Sequence, residues 1–353
     1  MARWLTRDDL GAAAGTATGL LLVSPDVSSV FPLSPADRSD VVGLTGAALR
    51  EAGVGEDDRV VVALAEPAGA LWAAAAADVA GAAARVGPRG RMRLHHALST
   101  LKATTLVATP TGAMDLLSRL HLEFLLDPLD LGLRTIVLTG EIASKRTLGH
   151  LAAEFGATVT EVLASPFSGG ALAWRRAEEE PLRPLADGLL GLAALDKDVP
   201  ATGDGPAELV VTPSGHSTLG AAVLRTGLVA APAAAGAIPA PAHTVGEHVL
   251  VRGVWLALPR IDRALARIDG VAGWELAISR QGTLDTAVLT VAFARRSLIG
   301  SPMWKARIEQ AVRALTPVSV AVEIAQDVAE TPSPGVVNDL RGHHLGRDRA
   351  LIT

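Results

Sequence analysis

Few residues in this chain are suited to acid–base, metal or nucleophilic work, and their spacing narrows the choice further. His95-His96 is a pair of the kind that can serve as a general base in acyl transfer, but it falls on a helical stretch without the aspartate and glycine that should follow, so a helix surface is expected. His343-His344 stands in a Gly/Arg-rich tail, which is expected to be disordered and at most to pick up metal adventitiously. Ser214-Gly215-His216-Ser217 places a serine beside a histidine, whereas a hydrolase triad is assembled from separated segments around a strained nucleophile turn, so this string reads as a loop. The stretch Ala14-Gly15-Thr16-Ala17-Thr18-Gly19-Leu20 offers backbone N–H groups that can cradle a phosphate, the alternative being a plain flexible turn. Of the 32 lysine and arginine residues only Lys102, Lys145, Lys197 and Lys305 are lysines, and the chain has no tyrosine.

These residues must be held by elements the pattern makes visible. From Arg59 onward short β-rich runs alternate with helical ones. Val60–Leu64 is followed by an alanine-rich helix over Pro67–Ala84, then Leu94–Leu101, Thr104–Thr109, Ala113–Leu120, Thr135–Leu138, and a helix at Thr147–Phe155 stopped by Gly156. This is the rhythm of a sheet with helices on its faces. After Trp174 a Pro/Gly/Asp-rich passage leads to strands near Glu208–Val211 and Ala222–Leu228, which fit a mixed or antiparallel sheet. Ala230–Ala242, with Pro232, Pro239 and Pro241, reads as a connector. Beyond it, strands and helices from His248 to Glu323 make a compact α+β domain, with the helices at Pro259–Ile268 and Trp304–Leu315. The expected division is therefore 1–243 and 244–353, a large layered α/β domain followed by a smaller α+β one.

Composition excludes several function classes. At 353 residues, 49% of them hydrophobic and 20% charged, the chain can bury substantial cores. A net charge of −5 and the lack of any basic run with interleaved aromatics argue against nucleic acid as a partner. The absence of cysteine removes disulfides and thiolate chemistry and fits a reducing compartment. The opening residues lack an apolar core of signal-peptide length, and the alanine-rich stretch carries Asp78, so a cytoplasmic protein with no membrane contact is expected.

Several segments, taken in order, carry a resemblance. Glu247-His248-Val249-Leu250-Val251-Arg252-Gly253-Val254, followed by Pro259, resembles the "DMLIIRGVNVFP" segment of phenylacetate–CoA ligases, and Gly282-Thr283-Leu284-Asp285-Thr286 resembles their "DGHLDTLTV" hairpin. Leu5-Thr6-Arg7-Asp8-Asp9-Leu10 is similar to the "TTKEDL" opening, Leu49 to Val60 to "LRAAGVRPGDRV", Thr109-Pro110-Thr111 to "TPS" and Gly140-Glu141 to "GAEP". The resemblance implies an adenylate-forming fold in which a small C-terminal lid follows a large N-terminal domain, here lacking part of its beginning. It also implies ATP, Mg²⁺ and CoA as cofactors wherever the ligase reaction survives.

That reaction needs groups on the triphosphate, a carboxylate for Mg²⁺, an acid on the ribose and a lysine at the phosphoryl transfer. Set against "SSGTTGKP", the stretch with Gly15, Thr16, Thr18 and Gly19 carries leucines in place of the lysine and proline. Against "YGLSE", Leu163 replaces the tyrosine and Phe167 the metal-binding acid, and no acid lies between Val162 and Arg176. The ribose motif reads Leu224-Arg225-Thr226-Gly227-Leu228 with its aspartate missing, and Val336 follows Gly335 where the catalytic lysine is expected. Lys305 is expected on a solvated helix face, and Arg341 and Arg347 carry charge but not at the motif's spacing. The positions left for a vestigial nucleotide site are Gly15, Thr16, Thr18, Gly19, Gly140, Glu141, Arg225, Thr226 and Gly227, with no catalytic residue and no metal ligand. The leading expectation is a noncatalytic homologue that needs no cofactor and works by binding a ligand or partner, either a full-length ligase homologue or a second copy of the chain. The alternatives are a divergent acyl- or aryl-CoA ligase, or an acyl-binding enzyme, using non-standard residues or a partner chain.

Overall fold

The computed structural model describes residues 3–25, 27, 29–88, 90–202, 205–231, 236–329 and 331–349. The chain divides into two compact units, residues 1–24 with 29–242, and residues 243–353 with the short stretch 25–28.

In the first unit, β1 (Trp4–Leu5) and the short helix α1 (Leu10–Ala14) precede a hairpin of β2 (Leu20–Val23) and β3 (Val30–Leu33). Helix α2 (Pro35–Glu51) starts where the sequence can cap it. Pro35 presets the first helical φ, Ser34 Oγ accepts the Asp37 N–H at 3.2 Å, and the Asp37 carboxylate accepts the Ser34 N–H at 2.9 Å. The βα alternation then runs β4 (Arg59–Ala63), α3 (Ala68–Ala77), β5 (Ala82–Arg85), α4 (Arg91–Leu101), β6 (Thr105–Ala108), α5 (Pro110–Arg119), β7 (Thr135–Thr139), α6 (Thr147–Phe155) and β8 (Thr158–Ala164). Strands β4 to β8 are parallel, and β9 (Ala171–Arg175) and β10 (Arg183–Pro184) add an antiparallel edge, giving the order β10-β9-β8-β7-β6-β4-β5.

The parallel strands are apolar on both sides because helices cover both faces. Val60, Val62, Val107 and Val137 pack towards α2 and α3 with Trp72, while Val61, Leu106, Ile136 and Leu138 pack towards α5 and α6. A second, mixed sheet has the order β1-β13-β12-β11, built from β11 (Leu190–Ala193), β12 (Ala207–Val211) and β13 (Val223–Ala230), with β14 (Pro241–Thr244) also paired to β13.

In the second unit a hairpin of β15 (His248–Val251) and β16 (Val254–Ala257) turns at Gly253, whose φ of +73° favours glycine. Then come α7 (Leu258–Leu265), β17 (Val271–Gln281), β18 (Leu284–Phe293), α8 (Arg296–Ile299), α9 (Pro302–Arg313), β19 (Val320–Ile324) and β20 (Val336–Asp339). The sheet order is β19-β18-β17-β20. Alternate residues of β18 face a core shared with Ile261, Leu265, Ile308 and Val312.

Three expectations need correction. The alanine-rich stretch is helical only to Ala77, and Ala82–Arg85 is a strand beside β4. Gly81 permits this, since a Cβ there would stand 2.3 Å from the Glu56 carbonyl oxygen. The proline-bearing connector is partly sheet, with Ala230 in β13 and Pro241 in β14, while Pro232 lies outside the described residues. The tail to residue 349 is ordered by β20 and by hydrogen bonds from Thr244 to the His343 carbonyl and from Gly246 to the Gly346 carbonyl.

Candidate functional site

In a parallel sheet the loops at the strands' carboxyl ends are where ligands are met. Two such loops carry positions singled out above. After β7, Gly140 turns the chain with φ +84°, and Glu141 reaches to the start of α5. Its carboxylate accepts the Thr111 N–H and the Thr111 hydroxyl, each at 2.9 Å, while Thr109 caps the same helix by accepting the Gly112 N–H at 3.1 Å. Glu141 is therefore not loose in solvent. It occupies, with a carboxylate of the chain itself, the positive helix end that would attract an anion.

The loop after β8 is folded inward. Ser165 Oγ accepts the N–H groups of Phe167 and Ser168, and the Trp72 indole donates to the Gly169 carbonyl at 2.8 Å. A Cβ at Gly169 would lie 2.7 Å from that of Ala68, and one at Gly170 2.3 Å from Val41 Cγ1, so the loop sits on α2 and α3 as closely as glycine allows. Phe167, 6% exposed, stacks on Phe31 at 6.2 Å between centroids, with the Arg7 guanidinium 5.4 Å over its ring.

The stack continues through His216, set edge-on to Phe31 at 5.3 Å. His216 Nδ1 accepts the N–H groups of Thr218 and Leu219 and lies 3.7 Å from the Asp37 carboxylate. Asp37 also accepts from the Ser217 N–H at 2.9 Å and from the Ser217 hydroxyl. Burial pushes the Asp37 pKa up, but the hydrogen bonds from Ser217 and Ser34 outweigh this and hold the carboxyl well below the usual carboxylate range. The serine and histidine of this loop thus tie α2 to the second sheet, and a nucleophile is not formed, because His216 Nδ1 already accepts backbone N–H groups and Ser217 serves Asp37.

Gly15, Thr16, Thr18 and Gly19 lie exposed between α1 and β2. The Gly15 N–H donates to the Ala12 carbonyl and that of Ala17 to Ala14, so these donors close the helix end. Gly19, at φ +106°, lets the chain pass Leu33, whose carbonyl oxygen would be 2.5 Å from a Cβ.

Arg225, Thr226 and Gly227 lie within β13. Arg225 is 5% exposed and its guanidinium binds Glu208 at 2.6 Å, Asp198 at 2.9 Å and the carbonyls of Ala194 and Lys197. Thr226 donates to the Leu209 carbonyl at 2.6 Å, and the Gly227 N–H donates to the buried Glu208 carboxylate at 2.8 Å. This cluster is internal to the second sheet, and the Glu141 loop and Phe167 stack belong to the first. The nine singled-out positions thus lie on three segments, the α1–β2 connection, the turn after β7 and strand β13.

In the second unit Val336 opens β20 and is 55% exposed. Gly335 before it lies against the Trp274 ring, with a Cβ placed 2.0 Å from ring carbons. Arg341 pairs with Asp285, with Asp339 at 2.8 Å and with the Leu250 carbonyl, and Arg347 pairs with Glu247 and Asp262. Both arginines are thus engaged within the unit, and Lys305 lies on the exposed side of α9, 4.0 Å from Glu309. His344 Nδ1 bonds the Thr244 hydroxyl at 3.0 Å. Burial first, with the charges of Arg341 and Arg347, moves its pKa down to about 4 against the pull of Asp339.

Several partners in these clusters were not singled out from the sequence. Asp37 had a signal, the Ser34-Pro35-Ala36-Asp37 capping pattern. Glu208 had another, an acid inside the apolar run of β12. Phe31 and Arg7 had none, since their roles depend on contact with Phe167.

Comparison with solved structures gives the fold. At TM-score 0.79 and 18% identity the chain is similar to 2-hydroxyisobutyryl-CoA ligase in complex with 2-HIB-AMP and CoA, over 96% of this chain and 80% of that one. It is also similar to the amide bond synthetase McbA from Marinactinospora thermotolerans (TM-score 0.67, 17% identity, 88% of this chain and 66% of that one). A third is o-succinylbenzoate CoA synthetase from Bacillus subtilis (TM-score 0.61, 14% identity, 89% and 66%). No protein-family model and no curated protein matches the chain. The architecture is therefore the mixed α/β fold of adenylate-forming ligases.

That fold implies ATP with Mg²⁺, and the residues here do not fit the metal. Mg²⁺ requires oxygen ligands, but a phenyl ring fills position 167. Among the described residues no group of three or more His, Cys, Asp or Glu is placed to hold a metal ion. No helix among them is long and apolar enough to cross a membrane.

Proposed function

We propose that this chain is a noncatalytic homologue of the phenylacetate–CoA ligase type of adenylate-forming enzyme, keeping the fold to bind a ligand or a partner protein. The observation that carries the reading is Phe167. It stands where the resemblance places the metal-binding acid, and it is packed between Phe31 and Arg7 in a loop fastened to α2 and α3. The substitution is part of the interior rather than an empty place in an otherwise open site. The donors that would face a nucleotide have internal partners as well: Glu141 holds Thr111, and Arg225 and Gly227 hold Glu208.

The test is calorimetric titration of ATP with Mg²⁺ into the full chain, together with carboxylate-dependent pyrophosphate exchange using phenylacetate and other aryl acids. Neither binding nor exchange is expected. Exchange above the level without carboxylate would overturn the reading and make the chain a divergent ligase.

A further inference from the structure

We infer that copies of this chain associate head to tail, an acid-flanked cluster of exposed leucines between α5 and β7 of one copy taking the basic outer face of α9 of the next. This goes beyond the proposed function and does not depend on whether ligase chemistry survives.

The leucines are held out by their own backbone. After α5 the chain makes one turn of π-helix over Leu120–Phe124, and Leu125 follows with φ +52°, a conformation that leucine rarely adopts. The N–H groups of Leu125 and Leu126 both close on the Leu120 carbonyl, and the Asp127 carboxylate accepts the Leu129 N–H at 2.9 Å to start the 3₁₀ turn Pro128–Leu131. Leu120 is buried under this turn. Leu122 and Leu125, 75% and 83% exposed, are the two most exposed large apolar side chains among the described residues, and Leu126 and Leu129 are exposed in the same short stretch. A single surface leucine needs no explanation, whereas four gathered on a strained turn point to a contact. The stretch leads into the start of β7, so it lies at the amino ends of the parallel strands rather than at the carboxyl ends where ligands are met.

Charge selects the occupant. Glu123, Asp127 and Asp130 stand among the leucines, and among the described residues only Glu123 is paired with a cation, Arg119. A second leucine cluster would set acids against acids, and a phosphate-bearing surface would be repelled in the same way. The exposed face of α9 has the opposite character. Ile308 and Val312 are buried on one side of this helix, and Met303, Arg307 and Gln310 follow one another along the other. Met303 is 61% exposed and Ala306 is open beside it, while Lys305, Arg307 and Arg313 stand against the single acid Glu309. Two such faces would set cations against cations. Each surface therefore repels a copy of itself and matches the other, aliphatic to aliphatic and acid to base, which selects a heterologous contact over a two-fold one. Such a contact leaves one surface of each kind open, so copies add until a ring closes.

Sedimentation velocity of the full chain over a wide concentration range is expected to show mass rising beyond two copies, and falling back towards the monomer as sodium chloride is raised. Leu122→Lys with Leu125→Lys spoils the first surface and leaves α9 intact. Met303→Glu with Arg313→Glu spoils the second and leaves the leucines intact. Each variant alone is expected to be monomeric, and an equal mixture of the two is expected to form a species of doubled mass that grows no further, since one intact surface of each kind remains. Met92→Lys, at an exposed methionine of α4, should leave the wild-type assembly unchanged. A wild-type chain that stays monomeric, assembly indifferent to salt, either double variant still assembling alone, a mixture that stays monomeric, or assembly abolished by Met92→Lys would overturn the inference. Circular dichroism checks that the variants fold. If one does not, hydrogen exchange of the wild type decides: protection rising with concentration in both 122–129 and 303–313 supports the contact, and protection rising in only one of them, or in neither, overturns it.

Discussion

Phe167, after β8, and Val336, at the start of β20, stand at two positions where the resemblance places a side chain of the adenylation reaction. Both are apolar, yet the two units treat them in opposite ways. Phe167 is drawn inside, stacked on Phe31 and covered by Arg7, with Gly169 and Gly170 after the turn letting the loop settle onto two helices. Val336 remains more than half exposed on a tail held elsewhere, by Gly335 against Trp274 and by the buried charges around Arg341. Two apolar residues singled out by the same resemblance are thus held in different ways, one absorbed into a core and the other left on the surface.

Three experiments sharpen or break that contrast. Phe167→Glu, which writes in the residue type expected for the metal, should have the largest effect. Loss of the buried ring by itself costs about 3–5 kcal/mol, and a carboxylate in so enclosed a place adds a desolvation cost. Scanning calorimetry should show a clear fall in the melting temperature of the first unit, with no gain of Mg²⁺-dependent ATP binding. A variant as stable as the wild type would mean that the loop opens easily and the contrast is false.

Acidification should act on the tail. His344 has a folded pKa of about 4, below the usual 6.5, so between those values the native state binds fewer protons than the unfolded one. The stability it contributes is complete above about pH 6.5 and is lost as the pH falls towards 4. Protection of the β20 amides, taken relative to the intrinsic exchange rate at each pH, should fall across that window, and His344→Gln, which does not titrate, should flatten the dependence. Protection unchanged from pH 7 to 4.5 would show that the tail is not fastened through this histidine.

Val336→Lys should have the smallest effect, within about 0.5 kcal/mol, as for surface substitutions clear of special contacts. An equilibrium denaturation midpoint shifted well beyond that would place Val336 in a contact its exposure does not indicate.

Much of the scaffold was legible because it is written in local periodicity. The βα alternation after Arg59 marks a parallel sheet, Gly156 stops α6 with φ +60°, and the alternation of Leu284–Phe293 appears directly as in-and-out facing residues. The alanine-rich stretch misled because alanine packs equally well in a covered strand, and the turn at Gly81 depends on an approach to Glu56, some 25 residues earlier in the chain. The stretch Gly15 to Gly19 had the composition of a phosphate loop, and in the fold the N–H groups of Gly15 and Ala17 close the end of α1.

The sequence by itself determined which residue types stand at the positions the resemblance singles out. The missing acid between Val162 and Arg176 and the lack of any lysine after Lys305 are facts of composition, independent of folding. It also determined the βα alternation from Arg59 onward, since most of those elements are set by residues a few positions apart. Only the tertiary structure decided what surrounds those positions: that Phe31 meets Phe167, that Glu208 binds both Arg225 and the Gly227 amide, and that Asp37 joins α2 to Ser217, 180 residues away. Such contacts arise when separate elements pack, and no short window of sequence contains both partners.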